Sequence, residues 1–173
     1  MVATLPRPEF PDAASLVHRF SSLRPNAFPG VRGAIDGSHV RISTPCANAS
    51  DYYCYKKFKS VILLAIAGPD CECLWFHVIG YRGKTGDARL FNETGVGAFV
   101  ASLPPDSHLI GDGAFTLSKG LIKPFLFENA SPEQEYFNFK LSSSRMVIEC
   151  FFGQINYREF HIFTANFVVS PRN

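Results

Sequence analysis

Long hydrophobic runs are missing from these 173 residues, and no stretch approaches the roughly 18 consecutive apolar residues that a membrane-spanning helix requires. The N-terminus offers Pro6, Pro8 and Glu9 where a secretory signal would need an apolar core. A soluble, intracellular protein without a membrane partner is the expectation. Cysteine is sparse and odd in number: Cys46, Cys54, Cys71, Cys73 and Cys150 supply neither a disulfide framework nor a paired C-x-x-C zinc knuckle. Reduced thiols in a core are expected instead. Charge of one sign is also lacking, because a net +2 is too little by itself to announce a nucleic-acid binder. Internal repeats, low-complexity segments and a clear basic localisation run are absent as well. What remains, at 46% hydrophobic and 18% charged residues, is the composition of one globular domain with a real core.

The first 30 residues carry Pro6, Pro8, Pro11, Pro25 and Pro29 around one helical candidate, "AASLVHRFSSL", for which Asp12 is a plausible N-cap. From Gly33 the pattern turns to strands. "AIDGSHVRIS" alternates loosely, "SVILLAIAG" reads as a strand buried on both faces, and "CLWFHVIGY" is a third strand joined to it through the turn signal "GPDCE". "TGDARLFNETGVGAFVASLPP" predicts a helix interrupted near Gly95 or Gly97 and stopped by Pro104. A short strand, "SHLIGDGAF", follows, then a small helical piece, "LSKGLIKPF", and a loop from Phe125 to Pro132. The longest helical region runs from Glu133 to about Arg158, with a break expected around "LSSS" and an apolar stripe of Val147, Ile148, Phe151, Phe152 and Ile155. Strands first, then helices alternating with a further strand, predict an α/β layer with a mixed sheet.

Three acids stand out against this background. Asp36 in "GAIDG" and Asp112 in "LIGDGAF" each end an apolar approach and are flanked by glycine, while Glu149 projects from the border of the helical stripe. Each has an ordinary reading: a tight turn for either aspartate, and an i,i+4 ion pair with Arg145 for Glu149. Taken together they fit another, since groups at strand ends converge on one edge of an open α/β sheet. Three carboxylates brought together repel one another unless a cation joins them, and hard oxygen ligands suit Mg²⁺ or Mn²⁺. Two such ions about 4 Å apart serve phosphodiester cleavage.

The ordered set of motifs resembles the PIF/Harbinger-type DDE transposases and the domesticated Harbinger transposase-derived nucleases. The likeness runs over roughly residues 28 to 163, through "FPGVRGAIDGSHVRISTP", "YYCYKKFKSVILLAIAG", "GYRGKTGDARLFNET", "LIGDGAFTLSKGLIKPF" and "FNFKLSSSRMVIECFFGQINYREFHIF". By this resemblance the catalytic, metal-ligating triad is Asp36, Asp112 and Glu149. The interval from Asp112 to Glu149 is about half that from Asp36 to Asp112, close to the short second spacing expected of this type of core. The resemblance implies an RNase H-like fold, a five-stranded mixed sheet flanked by helices. It divides the chain into an N-terminal helical, proline-rich remnant (1–28), the DDE endonuclease domain (29–165) and a tail (166–173). It further implies a DNA endonuclease dependent on Mg²⁺ or Mn²⁺, with two ions, a nuclear location and a separate Myb-like DNA-binding partner. Oligomeric state stays open.

Departures from the family pattern bear on these expectations. Gly86 precedes Asp87 where relatives commonly have histidine, and Asn156 follows "FGQI" where many have a basic residue. Only about 30 residues precede the first motif, where relatives usually carry a helical DNA-binding region, so a catalytically silent DNA- or protein-binding module on the same scaffold is the alternative. Asp87 either caps the helix it opens or lies near the metals as an auxiliary acid. His39, three residues after Asp36, is expected on the opposite strand face, in a supporting rather than a ligating role. His77 reads as a buried histidine. Lys56, Lys57 and Lys59, interleaved with Tyr52, Tyr53 and Tyr55, are candidate nucleic-acid contacts together with Arg145, and an ordinary solvated strand edge explains the lysines equally well.

Overall fold

The structure, a computed structural model, describes residues 12–23, 28–43, 49–79, 89, 91, 92 and 94–155. Helix α1 spans Ala13–Leu23 and enters through Asp12, whose Oδ1 accepts the Ala14 N–H at 3.2 Å. Strands β1 (Val31–Arg41), β2 (Ser60–Ala67) and β3 (Cys73–Ile79) follow, then helix α2 (Val96–Ala101), strands β4 (His108–Ile110) and β5 (Leu121–Ile122), and helix α3 (Pro132–Gln154). The sheet order is β3-β2-β1-β4-β5. Strand β2 runs antiparallel to both β1 and β3, whereas β4 is parallel to both β1 and β5. This is the α/β, RNase H-like mixed sheet that the resemblance implied.

Strand β2 explains why the sheet lies in the middle. All eight of its residues are buried, the pattern of a strand covered on both faces. Val61, Leu63, Ala65 and Ala67 join a core with Phe20 of α1 and Leu141, Val147, Ile148, Phe151 and Phe152 of α3. Ile62, Leu64 and Ile66 point the other way, into a core with Val96 and Val100 of α2 and with Phe91 and Phe115. The "GPDCE" turn closes the β2–β3 hairpin, the Gly68 N–H donating to the Glu72 carbonyl at 2.9 Å. Arg19 of α1 reaches over to pair with Asp70 and, at 2.8 Å, with Glu72.

Three expectations are corrected. The piece "LSKGLIKPF" is not helical: Leu121 and Ile122 form β5, the fifth strand, with Leu109 donating to the Gly120 carbonyl at 2.8 Å and Gly111 to that of Ile122 at 2.9 Å. Gly120 sits so close to α2 that an added Cβ would lie 2.1 Å from the Val100 carbonyl oxygen. Helix α3 passes through "LSSS" without a break, because Ser144 is buried and its hydroxyl donates back to the Lys140 carbonyl at 2.9 Å. It starts in a capping box, Ser131 Oγ accepting from Gln134 N–H and Gln134 Oε1 from Ser131 N–H. The thiols are not all core: Cys54 is buried, Cys71 half-buried, and Cys73 and Cys150 are exposed. Cys46, Asp87, residues 156–158 of the expected last helix, residues 1–11 of the expected N-terminal segment, residues 156–165 of the expected endonuclease domain and all of the expected 166–173 tail lie outside the described residues.

Candidate active site

The parallel pairing of β1 with β4 sets the geometry. Ala34 pairs with Ile110, and both enter the core beneath α3. Asp36 lies two residues beyond Ala34, within β1 and on the same strand face, and Asp112 lies two residues beyond Ile110, past the end of β4. Beyond Ile110 the chain turns. Asp112 Oδ1 accepts the Ala114 N–H at 2.9 Å and its carbonyl the Phe115 N–H at 3.4 Å, an aspartate turn that leaves Oδ2 outside this bond. Gly111 is required by close packing, since a Cβ there would lie 2.9 Å from the Phe115 ring. Asp36 Oδ1 accepts the N–H of its own neighbour, Gly37, at 2.8 Å.

The third acid approaches from α3, in company with a cation. Arg145 Nη2 lies 3.9 Å from Asp36 Oδ2 and 3.5 Å from Glu149 Oε1. Arg145 and Asp36 are largely enclosed, their side chains 18% and 21% exposed, whereas Glu149 is 61% exposed. One guanidinium therefore links the strand acid to the helix acid. The ion pair read from the i,i+4 spacing is present, and the contact with Asp36 is added to it. Among the described residues, no three His, Cys, Asp or Glu side chains are grouped closely enough to hold a metal ion.

A cavity of about 280 Å³ opens beside Asp112, between the segment after β5 and α3, lined in part by Gly113, Lys123, Phe125, Phe127, Asn138 and Arg145. Lys123 Nζ donates to the carbonyls of Gly113 at 3.1 Å and Phe115 at 3.0 Å, clasping the loop that carries Asp112. Asn138 holds the opposite wall, accepting from the Phe125 N–H at 2.8 Å and donating to its carbonyl at 3.1 Å. Neither residue was singled out in the sequence. Lys123 follows a two-residue strand that has no detectable period, and its partners are fixed by the β4–β5 pairing alone.

The remaining candidates lie elsewhere. Lys56, Lys57 and Lys59 sit on a tight hairpin closed by the Tyr53–Lys59 bridge, with Lys57 at φ 64° and Tyr55 79% exposed. Lys56 Nζ stands 5.7 Å from the Tyr55 ring centroid. This hairpin leads into β2 beside the C-terminal end of β1, five residues past Asp36, on the order of 17 Å along the strand. His39 lies on the opposite strand face from Asp36, with Nδ1 2.9 Å from Ser60 Oγ and its ring edge-on to Tyr55. Burial, and then the charge of Lys56, hold the His39 imidazole below its ordinary pKa. His77 is half-buried and stacks on Trp75.

Comparison with known proteins gives this geometry its context. The chain is 30% identical over 125 residues to the protein named "Putative nuclease HARBI1" of Rattus norvegicus, a match covering 70% of this chain and 34% of that protein. With the protein of the same name from Homo sapiens it shares 28% over 122 residues, again 70% of this chain and 34% of the relative. The match thus spans about a third of the length of these curated relatives. No solved structure matches at a significant level. The family model described as DDE superfamily endonuclease matches residues 35–173, from the middle of β1 onward, and the chain belongs to that family.

Proposed function

We propose that the chain is the core of a divalent-metal-dependent DNA endonuclease of transposase descent, with Asp36, Asp112 and Glu149 as catalytic and metal-ligating residues. The observation that carries the reading is the parallel β1–β4 pairing, whose Ala34–Ile110 pair stands two residues before each aspartate, together with Arg145 of the glutamate-bearing helix 3.9 Å from Asp36. The donor set fits a hard cation: every candidate ligand is a carboxylate oxygen, with no thiol or imidazole among them. Mg²⁺ or Mn²⁺, when bound, supplies charge neutralisation of the scissile phosphate and an acidified water.

The chain's own groups do the rest. Asp36 is held by its pairing with Ala65 and its bond from Gly37, and Asp112 by the turn in which it accepts the Ala114 N–H, so each is held before any substrate arrives. Lys123 keeps the Asp112 loop closed against β5. The Lys56–Lys59 hairpin, with Tyr55 exposed, extends the strand edge as a surface for a phosphate backbone. A nuclear location and a separate Myb-like DNA-binding protein belong to the same reading, through the family resemblance.

One observation favours a second reading, a DNA- or protein-binding module without turnover: Arg145 already neutralises two of the three acids. Incubation of the chain with supercoiled plasmid and Mn²⁺ or Mg²⁺ separates the two. Nicking that is lost in Asp112→Asn supports the endonuclease; binding without nicking by either protein supports the module.

A further inference from the structure

We propose that Arg145 acts as an exchangeable internal counter-cation: it stands where a divalent ion must bind between Asp36 and Glu149, and vacates that place for a DNA phosphate at the adjoining cavity. This rests on the metal-dependent reading above and adds a condition to it.

The geometry is that of a loosely held charge. A single nitrogen serves both carboxylates, at 3.9 and 3.5 Å, whereas a charge-assisted N–H···O bond settles near 2.7–2.9 Å. Arg145 Nε is sealed from solvent and has no hydrogen-bond partner in the structure, a cost that a well-seated guanidinium avoids. The same side chain also lines the cavity of about 280 Å³. Of the other polar side chains there, Lys123 is committed to two backbone carbonyls, Asn138 to the backbone of Phe125, and Ser142 carries no charge. The guanidinium, with its unused donor, is the group suited to receive an anion, and its planar fork matches a phosphate bidentately.

Electrostatics then couples the two events. A divalent ion and a guanidinium cannot both sit within about 4 Å of the same carboxylate oxygens without strong repulsion. Drawing Arg145 away removes its charge from both acids, so metal loading and substrate binding favour each other.

The test uses two ligands separately. Mn²⁺ is titrated calorimetrically into the native chain, Arg145→Gln, Arg145→Lys and Lys140→Gln, the last removing a charge elsewhere on α3, with circular dichroism as the check on folding. A fluorescent DNA duplex is titrated by anisotropy in EDTA against the same proteins. Arg145→Gln is expected to bind Mn²⁺ about tenfold or more tighter, and to bind duplex more weakly, with a salt dependence reduced by about one phosphate contact. Arg145→Lys keeps the charge and stays near native Mn²⁺ affinity, and Lys140→Gln leaves Mn²⁺ binding unchanged. Equal Mn²⁺ affinity for Arg145→Gln and the native chain overturns the exchange while the metal reading stands. Unchanged DNA binding by Arg145→Gln overturns the phosphate half. Absence of Mn²⁺ binding by every variant removes the metal reading itself, and the exchange with it.

Discussion

Asp36 and Glu149 meet the same guanidinium, yet the two ends of that contact are built in different ways. Asp36 belongs to the body of the sheet: its residue pairs with Ala65 on β2, its side chain is 21% exposed, and Ala34, two residues before it, pairs with Ile110 of β4. Glu149 stands on the outer flank of α3, 61% exposed and placed by its own rotamer. The sheet half of the site is therefore set by backbone register, and the helix half by side-chain torsions that can change at little cost. Damage to the first half is expected to reach the fold, and damage to the second to reach the chemistry alone.

Carboxamide substitutions give the largest contrast. Asp36→Asn, Asp112→Asn and Glu149→Gln each remove a proposed metal ligand, and the loss of several kcal/mol of transition-state stabilisation corresponds to about a thousandfold drop in plasmid nicking. Only in the helix half is stability expected to be untouched. Glu149→Gln is a surface change worth no more than about 0.5 kcal/mol, so its melting temperature stays within about 2 °C of native. A Glu149→Gln variant that melts far lower would show that the helix acid is structural after all.

Next in size is Gly120→Ala. A methyl group there meets the Val100 carbonyl, so β5 or α2 must shift, at about 2 kcal/mol and roughly 4–8 °C in melting temperature. Calorimetric melting checks the stability, and nicking checks whether displaced β5 carries the Asp112 loop with it. Lys123→Met follows. It deletes the one ammonium that donates to the carbonyls of both Gly113 and Phe115, at about 1–2 kcal/mol. Because those carbonyls belong to the loop that orients Asp112, nicking is expected to fall about tenfold, as for groups that orient metal ligands. Unchanged nicking in Lys123→Met would mean the aspartate turn stands without the clasp.

The same division separates what could be read from the chain and what could not. The run "SVILLAIAG" and the "GPDCE" turn specify β2 and its hairpin locally, since burial on both faces needs continuous apolar residues and the turn supplies its own hydrogen bonds. Asp36 and Asp112 were visible because glycine flanks an acid at the end of an apolar approach. Strand β5 was not. Two residues have no period, and the need for Gly120 arises from Val100 on another element. The expected break at "LSSS" failed for a related reason: a buried serine bonding back to Lys140 completes the helix instead of competing with it. Arg145 was half legible. Its pairing with Glu149 follows from helical spacing, but its contact with Asp36 joins residues far apart in sequence and exists only once α3 lies across the sheet.

The smallest expected effect concerns pH, and it probes the sheet half by way of its histidines. Burial holds His39, His77 and His108 below the ordinary 6.5, with the Lys56 charge adding to the effect at His39. A histidine whose folded pKa is lowered binds its proton more readily when unfolded, so stability rises with pH across the window between the folded and unfolded values. The cost is absent above 6.5 and accumulates as pH falls from there toward the lowered values. His108 Nε2 is buried without a hydrogen-bond partner in the structure, so adding a proton there charges a group that has no acceptor to meet it. Scanning calorimetry between about pH 7.5 and 5.5 is expected to record a declining melting temperature, shallower in His108→Asn and in His39→Asn. A flat profile in the native chain, or one that rises on acidification, would contradict burial as the cause and place these imidazoles in contact with solvent.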